Sequence, residues 1–378
     1  MANILEYLDW RSDVPLSAVP YNDADELVLC RLAYLPFEEV LPERFSVRGL
    51  PLTEAVRRLQ RFREIDGRRL LQPEDALLLE KLAFSQRFST VRLTGYVSRL
   101  DAAEEKQFSA LTALLPDHTV LVLYRGTDNT LVGWKEDFNM SFADAIPAQR
   151  DAVAYLQAAA AKYRFAPLRV SGHSKGGNLA MYAAAFCGEK VQARIRRVVN
   201  CDGPGFLDHV AQAPGCHAVM ERTVTYLPQF SLFGMLLENT GSYAVVQSGG
   251  DPIAQHDLYS WQVTREGPVL LDSLSSGSLF LDAAMKEWLA AMTPDRRAEV
   301  VDCIFGLLQE VGVEHLEDFA DSKKTFAILK TMLHQDEETR KIIFGAIRIL
   351  TDSVKKTLPL IKAQAKEKRK AAEKSPDA

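Results

Sequence analysis

The spacing of hydrophobic residues changes along the chain and predicts different structure in different stretches. Apolar residues recur at helical intervals over residues 52–65 and 76–88, which is the pattern of helices with one buried face. From Val91 apolar and polar residues alternate, and residues 118–127 form a short apolar run that ends in a glycine turn. Both patterns are typical of β-strands. We therefore predict short helices in the first ninety residues and consecutive strands after them.

Strands and helices then alternate along the chain. A helical pattern covers residues 148–165, a strand follows at 168–171, and a second helix runs to Cys187, with Gly188 suited to end it. Further strands are predicted over the ranges 194–205, 223–228 and 243–248. Such alternation favours an α/β fold in which a mainly parallel sheet is flanked by helices.

After about Ser276 only helical patterns remain. Thr293 and Pro294 have the residue types of an N-cap and a first helical position. The last helical pattern is interrupted at Pro359, and a charged segment follows it. We therefore predict two regions: an α/β region, residues 1–276, and an α-helical C-terminal region with a charged tail, residues 277–378.

The composition excludes several classes of protein. Of 378 residues, 47% are hydrophobic and 25% charged, as in ordinary globular proteins. The net charge of −5 and the absence of a basic, aromatic-rich stripe argue against a nucleic-acid partner. The N-terminus lacks the basic start of a secretory signal, and the longest uncharged apolar run, residues 223–237, is too short to span a bilayer. We expect a cytoplasmic protein without a transmembrane segment.

The cysteines point away from disulfide or metal chemistry. There are five, without a C-x-x-C pair: Cys30, Cys187, Cys201, Cys216 and Cys303. An odd, scattered set favours neither a disulfide framework nor a zinc site. We expect no metal and no organic cofactor.

A candidate nucleophile lies where a predicted strand meets a predicted helix. Gly172, Ser174 and Gly176 fit the pattern G-x-S-x-G. A serine at the tip of a sharp strand-to-helix turn has a strained backbone, and glycines two positions away remove clashes with the neighbouring strand and helix. The helix N-terminus behind the serine favours negative charge. This pattern predicts a nucleophilic serine, Ser174.

A serine nucleophile needs a base, an acid and an oxyanion hole. Among the downstream histidines we select His256, because it follows the last predicted strand through a loop. For the acid we select Asp202, at the end of the predicted strand 194–205, and Asp251 remains an alternative. The amide of Lys175, next to the serine, and that of Thr127, in the turn after residues 118–124, are the expected oxyanion donors.

These residues also carry a resemblance to known families. The segments YRGTDNTLVGWKEDF and SGHSKGGNLA resemble the class 3, or fungal-type, lipases, which have an R-G-[ST] oxyanion turn, a W-x-x-D segment and a G-H-S-x-G elbow. The set SGHSKGGNLA, DGPGF, LPQFSLFGMLL and QHDLYSWQV is similar to the Mbeg1-like (DUF2974) bacterial family, placed among the α/β-hydrolases. The similarity covers about the first 270 residues.

The resemblance implies an α/β-hydrolase-like fold with a Ser-His-acid site, in which Ser174, Thr127 and His256 match the elbow, the oxyanion turn and the terminal histidine. Class 3 lipases place their acid after the strand that here reads TVTYLP, where this chain has Gln229 and Ser231. Two alternatives follow. Either Asp202, one strand earlier, supplies the acid, or the triad is incomplete.

The predicted function is hydrolysis of a small-molecule acyl ester, thioester or lipid-like substrate through an acyl-enzyme. The alternative is a non-catalytic binding or scaffold protein on the same fold. Contact of residues 336–374 with an anionic membrane is a further alternative, but Glu367 and Glu373 in this stretch favour a solvated end. The apolar run 230–237 suits a lid, an acyl pocket or core, and we expect core.

Overall fold

The computed structural model describes residues 2–65, 70–239, 241–315, 318–319 and 321–373, with the backbone alone at 63–65 and 356–373. The described strands form one nine-stranded sheet. They are β1 (Leu50–Pro51), β2 (Arg92–Asp101), β3 (Lys106–Leu114), β4 (Val120–Tyr124), β5 (Leu168–His173), β6 (Ile195–Cys201), β7 (Thr223–Pro228), β8 (Ser242–Val246) and β9 (Leu270–Leu271).

The helices lie before, between and after these strands. They are α1 (Ile4–Arg11), α2 (Asp23–Leu32), α3 (Leu52–Ile65), α4 (Asp75–Ala83), α5 (Leu131–Asn139), α6 (Pro147–Lys162), α7 (Lys175–Phe186), α8 (Glu189–Gln192), α9 (Asp208–Ala211), α10 (Pro214–Val219), α11 (Ser276–Ala290), α12 (Pro294–Glu310), α13 (Ser322–His334) and α14 (Glu337–Glu373). Short 3₁₀ turns cover Met220–Arg222, Ala254–His256 and Leu258–Ser260.

The strand order in the sheet follows the order in the chain, from β1 to β9. Strands β4 to β8 pair in parallel, whereas β1 to β4 and the β8–β9 pair are antiparallel. The parallel strands all point the same way, so the loops after β4, β5, β6 and β7 meet at one edge of the sheet. This mainly parallel sheet flanked by helices confirms the predicted α/β-hydrolase-like class.

Both faces of the central strands are buried. In β4, Leu121 and Leu123 pack into the core formed with the N-terminal helices, while Val120, Val122 and Tyr124 face α6 and α7 in a second core. A strand buried on both faces has no solvent-facing side that would favour polar residues, and β4 accordingly reads as a continuous apolar run. The N-terminal helices α1 to α4 therefore supply one whole layer of the molecule.

Strand β3 is absent from the sequence prediction, which passed from β2 directly to β4. Its apolar pattern is broken by polar residues that are nevertheless buried, namely Gln107, Ser109 and Thr112. The backbone amide of Gln107 donates to Glu136, and the Thr112 hydroxyl is hydrogen-bonded to Tyr155. Because these partners lie far away in the chain, the polarity of the strand hides its burial.

The C-terminal helices pack on one another and on the sheet domain. Trp288 in α11 donates its indole N–H to the carbonyl of Ala346 in α14, and the Leu131 amide of α5 donates to the carbonyl of Glu314. Thr293 caps α12 through the Arg296 amide, as predicted.

Helix α14 continues past Pro359, so the predicted interruption is wrong. A proline removes one N–H donor from a helix without ending it when the neighbouring backbone bonds persist. Of the helices in the described ranges, none is both long and apolar enough to cross a membrane.

Candidate active site

Ser174 lies in a strained turn between β5 and α7. Its φ of 59° places a non-glycine residue in the left-handed region, which is costly and is typical of functional sites. The turn is held by the Ser174 amide, which donates to the Cys201 carbonyl at 2.8 Å, and by the Gly177 amide, which donates to the Ser174 carbonyl at 2.8 Å. The backbone thus fixes Ser174 at the edge of the sheet.

The two flanking glycines are required by close contacts. A Cβ at Gly172 would lie 2.1 Å from the carbonyl oxygen of Gly176, and a Cβ at Gly176 would lie 2.2 Å from the carbonyl oxygen of Tyr124. Real Cβ atoms do not approach backbone oxygens so closely. The turn can therefore form only with glycine at both positions, as the G-x-S-x-G pattern predicts.

His256 and Asp202 form a close pair at the same sheet edge. Nδ1 of His256 lies 2.6 Å from Oδ2 of Asp202, whose side chain is fully buried. Asp202 follows β6 and also has a positive φ, 52°, a conformation that aspartate tolerates better than most residues. A carboxylate can only accept, so Nδ1 carries the hydrogen of this bond and Nε2 is the ring nitrogen that takes no part in it.

The other oxygen of Asp202 is occupied by the segment after β7. Oδ1 accepts hydrogen bonds from the Ser231 hydroxyl at 2.5 Å and from the Gly234 amide at 3.2 Å. Ser231 stands near the place where class 3 lipases have their acid. In this chain that segment supplies a hydroxyl to the carboxylate of the neighbouring strand.

Asp251, the alternative acid, lies elsewhere. Its side chain is exposed and accepts the amides of Ile253 and Ala254 at 2.9 Å each. These are the bonds of a residue that caps a helical turn. The other downstream histidines are exposed as well: His209, His217, His315 and His334.

His173 contacts His256 through its ring and a hydrogen bond, and Tyr34 in turn holds His173. The rings of His173 and His256 are 4.6 Å apart, and Nε2 of His173 donates to the His256 carbonyl at 2.7 Å. The Tyr34 hydroxyl donates to Nδ1 of His173 at 2.8 Å. Burial lowers the pKa of His173 well below its usual value, and the nearby His256 lowers it further, so this ring is neutral.

His256 is thereby placed beside His173, the residue that precedes Ser174. Within the described residues no hydrogen bond joins the Ser174 hydroxyl to the His256 ring, a contact that is often long in serine hydrolases until substrate binds. Tyr34 and His173 were not singled out from the sequence, because a tyrosine in an N-terminal helical stretch carries no sign of a contact 139 residues away.

The turn after β4 approaches Ser174 closely. A Cβ at Gly126 would lie 2.9 Å from the Cβ of Ser174, so Thr127 is a near neighbour of the serine. The Thr127 hydroxyl donates to Oδ2 of Asp137 at 2.5 Å. Lys175 is the first residue of α7, and its amide therefore has no acceptor within its own helix.

The side chain of Lys175 belongs to a buried charge cluster. Its Nζ lies 2.9 Å from Oε2 of Glu136 and 3.6 Å from Oδ1 of Asp137. Glu136 also accepts the Gln107 and Ala148 amides. Burial raises the pKa of Asp137 to about 6, although Lys175 and the Thr127 hydroxyl lower it. Glu136 could not be recognised from its sequence pattern, since an acid within a helix ordinarily faces solvent.

An apolar cavity of about 330 Å³ adjoins Ser174. Its lining includes Phe233, Leu236 and Leu237 from the segment after β7 together with side chains of α5, α11 and α12. The expectation that the run 230–237 belongs to the core is therefore wrong for Phe233 and Leu236, whereas Leu237 lines the cavity and also packs against the second core. They face a cavity that the C-terminal helices close from the other side.

In the ranges described, no group of three or more histidine, cysteine or acidic side chains could hold a metal ion.

Solved structures similar to this chain are fungal lipases of low sequence identity. Lipase II from Rhizopus niveus is 11% identical with a TM-score of 0.38, over 66% of this chain and 83% of that chain. The lipase from Rhizopus microsporus var. chinensis is 13% identical with a TM-score of 0.34, over 58% and 83%. A Rhizomucor miehei lipase propeptide complex is 14% identical with a TM-score of 0.36, over 59% and 65%. Structural similarity with TM-scores this low does not show which activity this chain has.

No curated protein matches this chain. The model of one protein family, described as Mbeg1-like, matches residues 82–306. The match begins before β2, includes every strand from β2 to β9 and ends inside α12. It therefore covers the candidate site and part of the C-terminal helices, more than half of the chain. By this match the chain belongs to the Mbeg1-like family.

Proposed function

We propose that this chain is a serine hydrolase that cleaves esters or thioesters through an acyl-enzyme intermediate. The observation that carries the proposal is the 2.6 Å pair of His256 and Asp202 at the same sheet edge as the strained Ser174. A buried carboxylate that orients an imidazole beside a serine in an elbow is the arrangement that activates a hydroxyl.

In the acylation step, Oγ of Ser174 forms a bond to the substrate carbonyl carbon while its proton passes to Nε2 of His256. The carbonyl π electrons move to oxygen, and the amides of Lys175 and Thr127 stabilise the negative charge. Collapse restores the C=O bond and breaks the bond to the alkoxide or thiolate leaving group. The leaving group takes the proton from His256.

Water completes the reaction in the deacylation step. Its oxygen bonds to the acyl carbon while His256 takes one of its protons, and the bond to Oγ then breaks. Ser174 recovers a proton from His256, and the carboxylic acid leaves. Asp202 remains ionised throughout and holds the ring in the tautomer that both steps need.

Labelling with a fluorophosphonate probe tests this proposal, because the probe reacts only with an activated serine. We expect the wild-type protein to be labelled, and Ser174→Ala to lose both labelling and p-nitrophenyl ester hydrolysis. Ser89→Ala is a matched control, since its exposed hydroxyl donates only to the Gln86 carbonyl. Labelling of this control should equal that of the wild type.

The stability of Ser174→Ala should stay within about 1 kcal/mol of the wild type, because Ser174 is only partly buried and lies on the cavity wall. A folded wild-type protein that resists the probe would reject the hydrolase and favour a binding protein on the same fold.

A further inference from the structure

Helices α11 and α12 supply a large share of the wall of the cavity beside Ser174. Met285, Trp288 and Leu289 of α11 line it, as do Val300, Val301 and Phe305 of α12. Ser174 and Lys175 lie on the same cavity. A substrate whose reacting end is bound at Ser174 can therefore extend another part of the molecule into this cavity.

The charged groups on the cavity wall already have protein partners. Asp137 and Lys175, next to Ser174, belong to the buried cluster with Glu136. Arg297 donates to the carbonyls of Ser141 at 2.5 Å and Leu289 at 2.7 Å, and burial lowers its pKa. The rest of the wall is almost wholly aliphatic, aromatic or methionine. Such a wall favours a hydrocarbon chain over a charged or sugar-like group.

The cavity meets solvent at its rim. Phe138, Ile304 and Phe319 line it and are each 37–42% exposed, so the opening lies between α5, α12 and the residues before α13. The ring of Phe138 also packs against that of Phe305 at 5.5 Å. This rim would admit a flexible chain past aromatic side chains.

We propose that α11 and α12 form the acyl-chain site of this hydrolase, and that its substrates are esters or thioesters of unbranched, medium-length apolar acyl groups. The proposal rests on the proposed function and names its substrate class. A volume of about 330 Å³ lies near the lower end of the ~300–1,000 Å³ typical of small-molecule sites, which suits one flexible chain better than a fused-ring or multi-chain ligand.

The length dependence of hydrolysis provides the first measurement. With p-nitrophenyl esters from acetate to decanoate, we expect kcat/KM of the wild type to rise about fourfold per added methylene until the cavity is full. This factor corresponds to about 0.8 kcal/mol per buried methylene. A flat series, or a preference for acetate, would overturn the proposal.

Filling the cavity provides the second measurement. Val301→Trp adds an indole from α12, so the decanoate-to-acetate ratio of kcat/KM should fall at least tenfold. Leu329→Trp is the matched control, because Leu329 is 53% exposed on α13 and is not on the cavity wall; its ratio should equal that of the wild type. Circular dichroism and fluorophosphonate labelling verify that each variant is folded and reactive.

A second variant guards against misfolding of Val301→Trp. Met285→Ala enlarges the cavity from α11 and should move the preferred chain length upward by one or more methylenes. If both variants label normally and keep the wild-type length profile, the chain binds elsewhere, and the acyl-site proposal fails while the hydrolase stands. If the wild type does not label, it is the hydrolase proposal that fails.

Discussion

At the scale of single residues, Asp202 is the group whose role is most open to measurement. Its two oxygens are divided between His256 on one side and Ser231 with Gly234 on the other. An asparagine keeps the shape and tolerates the positive φ, but it can present an N–H to the ring and so stabilise the wrong tautomer. The charge that stabilises the imidazolium is also lost.

Asp202→Asn should therefore lower kcat by about 10³–10⁴-fold with little change in KM. Steady-state hydrolysis of a p-nitrophenyl ester measures this. Asp251→Asn is the control, because the Asp251 carboxylate accepts only nearby backbone amides, and its kcat should match the wild type. Equal rates for the two variants would remove Asp202 from the mechanism.

Asp137 accepts a hydrogen bond from Thr127 of the candidate oxyanion turn, and its raised pKa should make the stability of the protein depend on pH. Its pKa is raised to about 6 from an unfolded value near 3.8, so over this interval the folded protein binds more protons than the unfolded chain. The contribution of Asp137 to stability is then present at low pH and is lost as the pH rises through about 6.

The pH dependence can be isolated with Asp137→Asn, which cannot ionise. The free energy of unfolding of the wild type relative to this variant should fall by about 2 kcal/mol between pH 4 and pH 7. Urea unfolding at both pH values measures the difference, with Asp272→Asn, at an exposed site, as control. A difference that grows with pH would contradict the assignment.

At the scale of elements, the turn between β5 and α7 depends on backbone contact. Gly176→Ala would push a methyl group into the backbone of β4, 2.2 Å from the Tyr124 carbonyl. We expect a loss of at least 3 kcal/mol in the free energy of unfolding, because backbone cannot move aside cheaply. Gly306→Ala is the contrast.

Gly306 lies inside α12, and a Cβ there would meet nothing within 4 Å. Alanine should stabilise the protein by about 1 kcal/mol. Thermal and urea unfolding of both variants test the pair, and a similar effect for both would show that the contact at Gly176 is not decisive.

The helices and strands that could be predicted are those whose buried residues recur at a regular spacing in the sequence. The helix Leu52–Ile65 and the strand Thr223–Pro228 coincide with their predicted ranges, and the elbow glycines follow from local sterics. Strand β3 and the contacts of Glu136, Tyr34 and Ser231 could not be predicted. The side chains of Thr112, Glu136, Tyr34 and Ser231 bind partners that are distant in the chain, and a distant partner leaves no local pattern.

At the scale of the whole molecule, the N-terminal helices fix the loop that carries His256. Arg31 of α2 donates to both oxygens of Asp75 of α4 at 2.7 Å, and the Tyr259 hydroxyl donates to the same carboxylate at 2.8 Å. Arg31 and Asp75 are buried. The layer before residue 82, which lies outside the family match, thus contacts the loop three residues after His256.

Breaking this pair should be costly. Asp75→Ala leaves the Arg31 charge buried without its main partner, and we expect a loss of about 3–5 kcal/mol in the free energy of unfolding. The exposed pair of Arg58 and Glu54 is the control, and Glu54→Ala should leave the free energy of unfolding close to that of the wild type. Comparable losses in urea unfolding would contradict this account.

The sequential strand order has a consequence for the folding of the protein during its translation. Each strand pairs with the one translated just before it, so the sheet can be extended strand by strand as the nascent chain emerges, without waiting for distant segments. Helices α11 and α12 emerge only after the whole sheet. In the proposed hydrolase, Ser174, Asp202 and His256 would therefore come together first, and the proposed acyl-chain site would be complete only when these late helices pack beside Ser174.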